Sequence, residues 1–559
     1  MKGAARCALA FVLLFVAAEM RGDAIWNIQL LPTPIAGLQF NQNVGITFDY
    51  ATSQAGGVVI FARPMTGGAL SPNYAAHPSP VYPTGEGVGT GYFTISSGEV
   101  TVDAIRFQMY NASQTALILE FFVPVTYHFS SHAIYNIVVT PESPASIAHN
   151  ADVSLTYDYR TTEAGGVRIW SRPMSGDTLS PNYAAHGSPV YPAGTGSASG
   201  FFRIEGGDVN VDSIRILMAN QDGTVELLEL KIPVHYEYRA HSISNIQFDT
   251  LSPRSLALNA EVGITFNYTT VDTGGVRIFP RPFTRGDLTP NYAASGSPVF
   301  PVGSGAGSAS FTILAGDVTI DSVRFLMTNE NQTLTHLEYF VPVNYHYSAH
   351  TLANLQFKPT SPAYMTVDHN EEATFDYSTT DAGGALIFMR PFTEGNLSPA
   401  YAAHPSPLHA PGAGSGSGWF AITAGSVLVD QIRFTMLNAA QTELLFEWFL
   451  PAHLQYGNMA LTGVDASEAG TPLAYELLQN YPNPFNPYTS IQYQVPHATE
   501  VRLAVFDMLG REVAVLVDRR MEAGNHEVQF DGRNLASGVY LYRIHTPEFV
   551  RARKLMILK

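Results

Sequence analysis

Gly57, Gly166, Gly275 and Gly384 stand 109 residues apart, and so do Arg63, Arg172, Arg281 and Arg390. One unit is therefore written four times without a gap, and that constrains the architecture before any single residue is considered. A period of 109 residues is close to the commonest domain size, and a chain of 559 residues is too long for one core. The repeats are expected at 25–133, 134–242, 243–351 and 352–460, followed by a linker at 461–472 and a distinct tail at 473–559.

Within each unit the apolar residues alternate. Val44, Ile46, Phe48 and Tyr50 recur as Val153, Leu155, Tyr157 and Tyr159 and as Val262, Ile264, Phe266 and Tyr268. The fourth copy departs at Glu371 and rejoins at Ala373, Phe375 and Tyr377. A period of two is the signature of a half-buried strand. The following GGVVIFARP segment reads as the second arm of a hairpin. Further on, Val100 and Val102 share one parity while Ile105, Phe107 and Met109 take the other, so Asp103-Ala104 is expected to form a bulge. A five-residue loop at 111–115 would then set Arg106 opposite Glu120 and Phe107 opposite Leu119, with the same Arg–Glu register in every copy. Six or seven strands in about 100 residues, with no helical period, predict an all-β chain. Its expected form is four tandem two-sheet sandwiches of immunoglobulin or fibronectin III kind, arranged as beads on a string and followed by a small β-sandwich.

The longest irregular stretch of the unit is LSPNYAAHPSPVYPTGEGVGTGYF. Tyr74, Tyr82, Tyr183, Tyr191, Tyr292 and Tyr401 make it a candidate ligand loop in which rings stack on sugars or peptides; the structural alternative is that Tyr and Pro seal an edge of the sandwich. His77 recurs as His186 and His404 but becomes Ser295, which argues against a shared metal or acid–base role. The alternating glycines Gly85 to Gly91 superficially resemble a phosphate loop, yet a strand follows where a helix N-terminus is required. Asp103 and its copies Asp212, Asp321 and Asp430 are read as turn caps rather than Ca²⁺ ligands. No catalytic, metal or cofactor-binding constellation is expected, and the repeats are read as non-enzymatic.

The formal net charge of -17 argues against binding nucleic acid through its phosphates. Lys2 and Arg6, the apolar run from Ala8 to Ala18, and Gly22-Asp23-Ala24 suit a secretory signal peptide at 1–24, cut after Ala24. The run is too short to span a bilayer, which leaves no transmembrane segment expected in the mature chain. Cys7, the only cysteine, would be removed with it.

From Tyr475 the pattern changes. QNYPNPFNP, DMLGREV, AGNHEVQFDG, LASGVYLYRI and the closing KLMILK together resemble the type A C-terminal sorting domain of the type IX secretion system. The resemblance implies a Bacteroidota-like host, export to the periplasm, and passage through the outer membrane on the secretion machinery. Asn480, Pro482, Pro484, Phe485, Gly538, Val539, Tyr540, Lys554 and Lys559 fall on its motif. It further implies a mature protein that is secreted or sits on the outer cell surface, either attached to lipopolysaccharide or released. With that route, the repeats are expected to act as a stalk or adhesin, or as an array of carbohydrate- or peptide-binding modules working through the Tyr/Pro loop.

Overall fold

The computed structural model describes residues 22–457 except Asp177, and in the tail residues 476–477, 488–495, 499–506, 512–521, 524–533, 535, 538–546 and 550–557. All regular elements among them are strands. In the first copy these are β1 (Ala24–Leu31), β2 (Ala36–Gln39), β3 (Val44–Thr52), β4 (Val58–Thr66), β5 (Ala69–Leu70), β6 (Tyr74–Ala76), β7 (Gly85–Ile95), β8 (Val100–Asn111) and β9 (Leu117–Ser130). One layer runs β1-β3-β7-β6 and the other β2-β9-β8-β4-β5. The first edge is thus split: β1 lies antiparallel to β3, while β2 crosses over and lies parallel to β9. Phe48, Phe107, Phe121 and Tyr127 fill the space between the layers. The other copies repeat the plan.

Two expectations about pairing are corrected. Strands β3 and β4 do not form a hairpin: β3 pairs with β1 and β7, and β4 with β8 and β5. The intervening segment carries the chain from one layer to the other. Alternation specifies which face a residue takes, not which strand lies beside it. The second correction concerns β8 and β9. The bulge at Asp103 is present, in all four copies, but a second slip follows between Met109 and Tyr110. Tyr110 consequently pairs with Leu117, Phe107 with Phe121, and Gln108 with Glu120, leaving Arg106 opposite Phe122. The extra slip sits at the loop, where the Asn111 Oδ1 accepts from both Thr115 N (2.8 Å) and Ala116 N (3.2 Å), so that Ala116 returns only its carbonyl to the backbone, accepting from Asn111 N at 3.1 Å. Arginine and glutamate still meet diagonally in three copies, at 2.7 Å for Arg215–Glu229, 3.2 Å for Arg324–Glu338 and 3.4 Å for Arg433–Glu447. In the first copy Glu120 accepts from Gln108 Nε2 at 2.7 Å.

The alternating glycines belong to β7, not to a loop. Gly87 and Gly89 lie opposite Tyr50 and Phe48 on β3. A Cβ at Gly87 would stand 2.6 Å from the Tyr50 hydroxyl, and one at Gly89 would overlap the Phe48 ring. The glycines leave room for aromatic rings lying flat across the neighbouring strand.

Consecutive copies are not separate beads. Gly37 on β2 pairs with Ile134 on β10 (Ala133–Thr140), the first strand of the second copy, so the two layers join into a nine-stranded sheet. The fourth copy makes the same joint with the first. Its counterpart of β2, Ala363–Met365, pairs with β1 in the register Ala24↔Met365, Ile25↔Tyr364 and Trp26↔Ala363. Ile25 and Ile134 are equivalent positions, as are Gly37 and Tyr364, so the register is identical. Between the third and fourth copies Leu352 N donates to Ser255 Oγ at 3.2 Å, again at these positions. Ala145–Ala148 of the second copy likewise lies against Ser242–Phe248, the first strand of the third, so the four sandwiches close into a ring.

The closing joint is the one with no chain running through it, and its side chains compensate. Tyr364 stacks on Phe121 with centroids 3.7 Å apart. Trp26 and Ala24 enter the core of the fourth copy, and Tyr364 enters that of the first. Asp23 N donates to Thr366 Oγ1 (2.8 Å), and Thr366 N donates to Asp23 O (2.9 Å). The Asp23 carboxylate accepts from Thr52 Oγ1 (2.5 Å), Ser53 N (3.0 Å) and Gln54 Nε2 (3.1 Å). Lys358 and Glu86 form an ion pair at 2.6 Å across the seam. Asp23 and Ala24 are therefore part of the fold. A signal-peptide cut after Ala24 would remove both and leave a charged amine on Ile25, which is fully buried. Residues 1–21, including Cys7, and the linker 461–472 lie outside the described residues.

In the tail, Glu476–Leu477, Tyr488–Val495 and Gly524–Asp531 form one sheet. Glu512–Met521, Thr499–Phe506, Gly538–His545 and Val550–Ile557 form the other. Ile491, Tyr493, Leu503, Tyr542 and Ile544 pack between them.

Candidate functional site

The Tyr/Pro loop divides into two parts with different fates. Tyr82 is 7% exposed, its ring meets Phe48 and Tyr50, and its hydroxyl both donates to Thr90 O (3.1 Å) and accepts from Thr90 N (3.2 Å). Burial raises its pKa. Tyr191 is half-buried, tilts against Tyr159 and donates to Ser199 O at 3.3 Å; the third copy holds the buried Phe300 here and the fourth His409, whose pKa burial lowers. These positions close the sandwich where β4 meets the loop, through paired backbone bonds such as Val58–Tyr82.

Tyr74, Tyr183, Tyr292 and Tyr401 differ. Each begins a three-residue strand pairing with the end of the β7 equivalent, and each is half-buried at the surface. In the first copy Tyr74 lines a cleft of about 370 Å³ with Phe61, Arg63, Ala76, His77 and Pro78. His77 lies against Tyr92, and His186 and His404 lie against Phe201 and Trp419. The histidines thus cover aromatic residues of the β7 edge, and no group of acidic, histidine or cysteine side chains suited to a metal occurs among the described residues.

Asp103 caps a turn, though not its own: its Oδ2 accepts from Gly67 N at 2.6 Å, 36 residues back. Asp212 accepts from Gly176 N at 2.5 Å, Asp430 from Glu394 N at 2.7 Å, and Asp321 from Arg285 N. The bulge aims each carboxylate at the β4–β5 turn.

A second cluster, which the sequence reading missed, sits at the closing joint. A cleft of about 640 Å³ runs between the first and fourth copies, lined by Trp26, Asp49, Glu86, Phe357, Lys358 and Glu372. Beneath it, Glu371 is fully buried with neither carboxylate oxygen bonded, and desolvation pushes its pKa well above the usual carboxylate range. The buried Tyr456 hydroxyl lies near it, and burial holds that phenol neutral. His369 packs against Gly22, and burial depresses its pKa to about 4. The signal in the sequence was Glu371 itself, at a position where the other copies hold valine.

In the sorting motif, Gly538, Val539 and Tyr540 lie on one strand and Lys554 on its antiparallel partner, with Tyr540 opposite Leu555. Tyr540 is buried. Asn480, Pro482, Pro484, Phe485 and Lys559 lie outside the described residues.

The family model described as secretion system C-terminal sorting domain matches residues 479–558. A search of curated proteins returned no match. Among solved structures, the chain is similar to Escherichia coli alpha-2-macroglobulin activated by porcine elastase at 10% identity and TM-score 0.19, covering 96% of this chain and 53% of that one. The trypsin-activated form from Escherichia coli gives 10% identity and TM-score 0.23, with 96% and 42% covered. A marsupial T cell receptor gives 6% identity and TM-score 0.16, with 56% and 99% covered. The chain spans about half the length of the first of these.

Proposed function

We propose, from the premise that residues 479–558 are a type IX secretion C-terminal sorting domain, that the four repeats are its cargo: a non-enzymatic adhesive ring working at the outer surface. The tail makes this a secreted or outer cell-surface protein that engages the type IX machinery. No helix among the described residues is long and apolar enough to cross a membrane.

The observation that carries the reading is the closed circuit of four joints, each set between the β2 equivalent of one copy and the first strand of the next. A closed ring does not extend reach, so it favours a binding body over a stalk. It also sets four copies of one surface in a fixed relation, so weak sites gain avidity when a ligand spans them. The polar groups that first suggested chemistry have structural partners: Asp103 and its copies cap turns, and His77 covers Tyr92. Carbohydrate is the ligand class favoured by the half-buried Tyr74, Tyr183, Tyr292 and Tyr401, the first of which lines a surface cleft.

Two experiments test this. Deleting residues 473–559 is expected to leave folded repeats in the periplasm; surface display of the truncated chain would contradict the route. Glycan-array binding by the exported protein is expected to weaken in Tyr183→Ala, and catalytic turnover of any bound polysaccharide would refute the non-enzymatic reading.

A further inference from the structure

Each copy sets two arginines directly opposite one another across neighbouring strands: Arg63↔Arg106, Arg172↔Arg215, Arg281↔Arg324 and Arg390↔Arg433. Like charges in that position repel and weaken a sheet. In an acidic chain with a formal charge of -17, repeating the arrangement four times needs a reason.

In the second, third and fourth copies the two arginines have unequal surroundings. Arg215, Arg324 and Arg433 pair with glutamates. Arg63, Arg172, Arg281 and Arg390 make no ion pair among the described residues and donate only to neutral oxygens. Arg63 Nη1 reaches Gln108 Oε1 at 3.3 Å, and Arg172 Nη1 reaches the Ser171 and His186 carbonyls at 3.3 and 3.4 Å. Arg281 and Arg390 donate to the carbonyls of Pro280 and Met389. All four are half-buried beside aromatic rings. Arg63 lies 4.4 Å from the Phe61 centroid, Arg281 5.2 Å from Phe279, and Arg390 4.9 Å from Phe388 and 5.9 Å from Tyr401. Arg172 lies 6.0 Å from Tyr183. In the first copy the guanidinium opens into the cleft that Tyr74 lines.

A guanidinium set beside aromatic rings and not neutralised by an acid is available to a bidentate oxyanion partner. The rings beside it offer an apolar face of the kind that sugars stack on. We propose that each repeat binds one carboxylated sugar residue of a polysaccharide, the arginine taking the carboxylate and the Tyr74-type ring taking the sugar face. The chain's net negative charge selects for a glycan with sparse carboxylates over a dense polyanion. This inference rests on the adhesive-ring reading and names its ligand class.

The test titrates the exported full-length protein calorimetrically with an oligosaccharide bearing a single galacturonate, its neutral galactose counterpart, its sulfated counterpart, and a glutamate-containing peptide. The uronate oligosaccharide is expected to bind with about four sites per chain and at least tenfold more tightly than the other three. Arg172→Gln should reduce the stoichiometry from four to three with unchanged thermal unfolding, and Arg172→Lys, which keeps charge without the fork, should weaken that site. Binding of the neutral sugar that loses one of four sites in Tyr183→Ala and none in Arg172→Gln would sink this inference while sparing the adhesive ring. Equal or tighter binding of the sulfated sugar would overturn the carboxylate assignment, and equal or tighter binding of the peptide would overturn the saccharide. Failure of every saccharide to bind would remove both.

Discussion

Replacing Tyr364 with alanine addresses the joint that closes the ring. Tyr364 is 9% exposed, stacks on Phe121 at 3.7 Å, and stands where the other copies hold Gly37, Ser146 and Ser255. The other joints do not need the ring. A Cβ at Gly37 would already meet Leu228 Cδ2 at 2.6 Å, so that joint is packed from the opposite side. Removing a buried aromatic side chain costs about 3 to 5 kcal/mol when the site does not collapse. The neighbouring strands here are tied by hydrogen bonds, which limits collapse, and we expect the lower end, about 3 kcal/mol, to fall on the seam. A loss of that size raises the population of the opened seam roughly a hundredfold, at about 1.4 kcal/mol per factor of ten. Hydrogen–deuterium exchange reads this directly: amides of 24–26 and 363–366 should exchange about a hundredfold faster in Tyr364→Ala, while those of the second and third copies keep their rates. Unchanged protection at 24–26, or a uniform loss across all four copies, would refute the reasoning that this ring holds a locally opening joint.

Other consequences follow from the same contacts. Glu371 has a folded-state pKa raised by burial, so its contribution is complete below the unfolded carboxylate pKa and is lost as pH rises toward the folded value, at up to about 1.4 kcal/mol per pH unit. Glu371→Val should therefore stabilise the protein more at pH 8 than at pH 5 in urea unfolding; an equal gain at both would contradict a buried neutral acid. His369 acts in the opposite sense, with its pKa depressed to about 4, so the seam should loosen as pH falls from about 6.5 toward 4, and His369→Gln should remove that part of the acid sensitivity measured by exchange at 24–26. Gly89→Ala must displace the Phe48 ring and should lower stability by about 1 to 3 kcal/mol, whereas Gly91→Ala, with nothing within 4 Å, should be nearly neutral in thermal unfolding. N-terminal sequencing of the exported protein should find a start at or before Asp23; a start at Ile25 would show that the Asp23 hydrogen bonds are dispensable.

The sequence carried the strands, the bulge at Asp103 and the sorting tail, because each is written in local pattern: a period of two, a change of parity, or a string of motifs. It did not carry the partners of those strands. Val44–Tyr50 and Val58–Pro64 alternate alike, and nothing local says that they belong to different layers. The glycines of β7 looked like a loop because their purpose, to clear Tyr50 and Phe48, lies on another strand. The ring was hidden for a related reason. Its joints use a short strand, β2, whose neighbours are β9 and the next copy, and period alone does not reveal whether four identical steps return to their start. The candidate site was half legible: Tyr74 lines a surface cleft and its copies stay half-buried at the surface, while Tyr82 went into the core, and the arginine pairing emerged only with the register.

Small-angle X-ray scattering of the exported protein tests the closed ring most directly. A compact body of about 440 residues has a radius of gyration of roughly 22 Å, and four sandwiches joined in a closed circuit are expected at about 25 Å. Four sandwiches placed end to end, each about 40 Å long from strands of about 12 residues, would instead give roughly 45 Å. A value near 25 Å is the predicted result, and a value near 45 Å for the unaltered protein would contradict the closure.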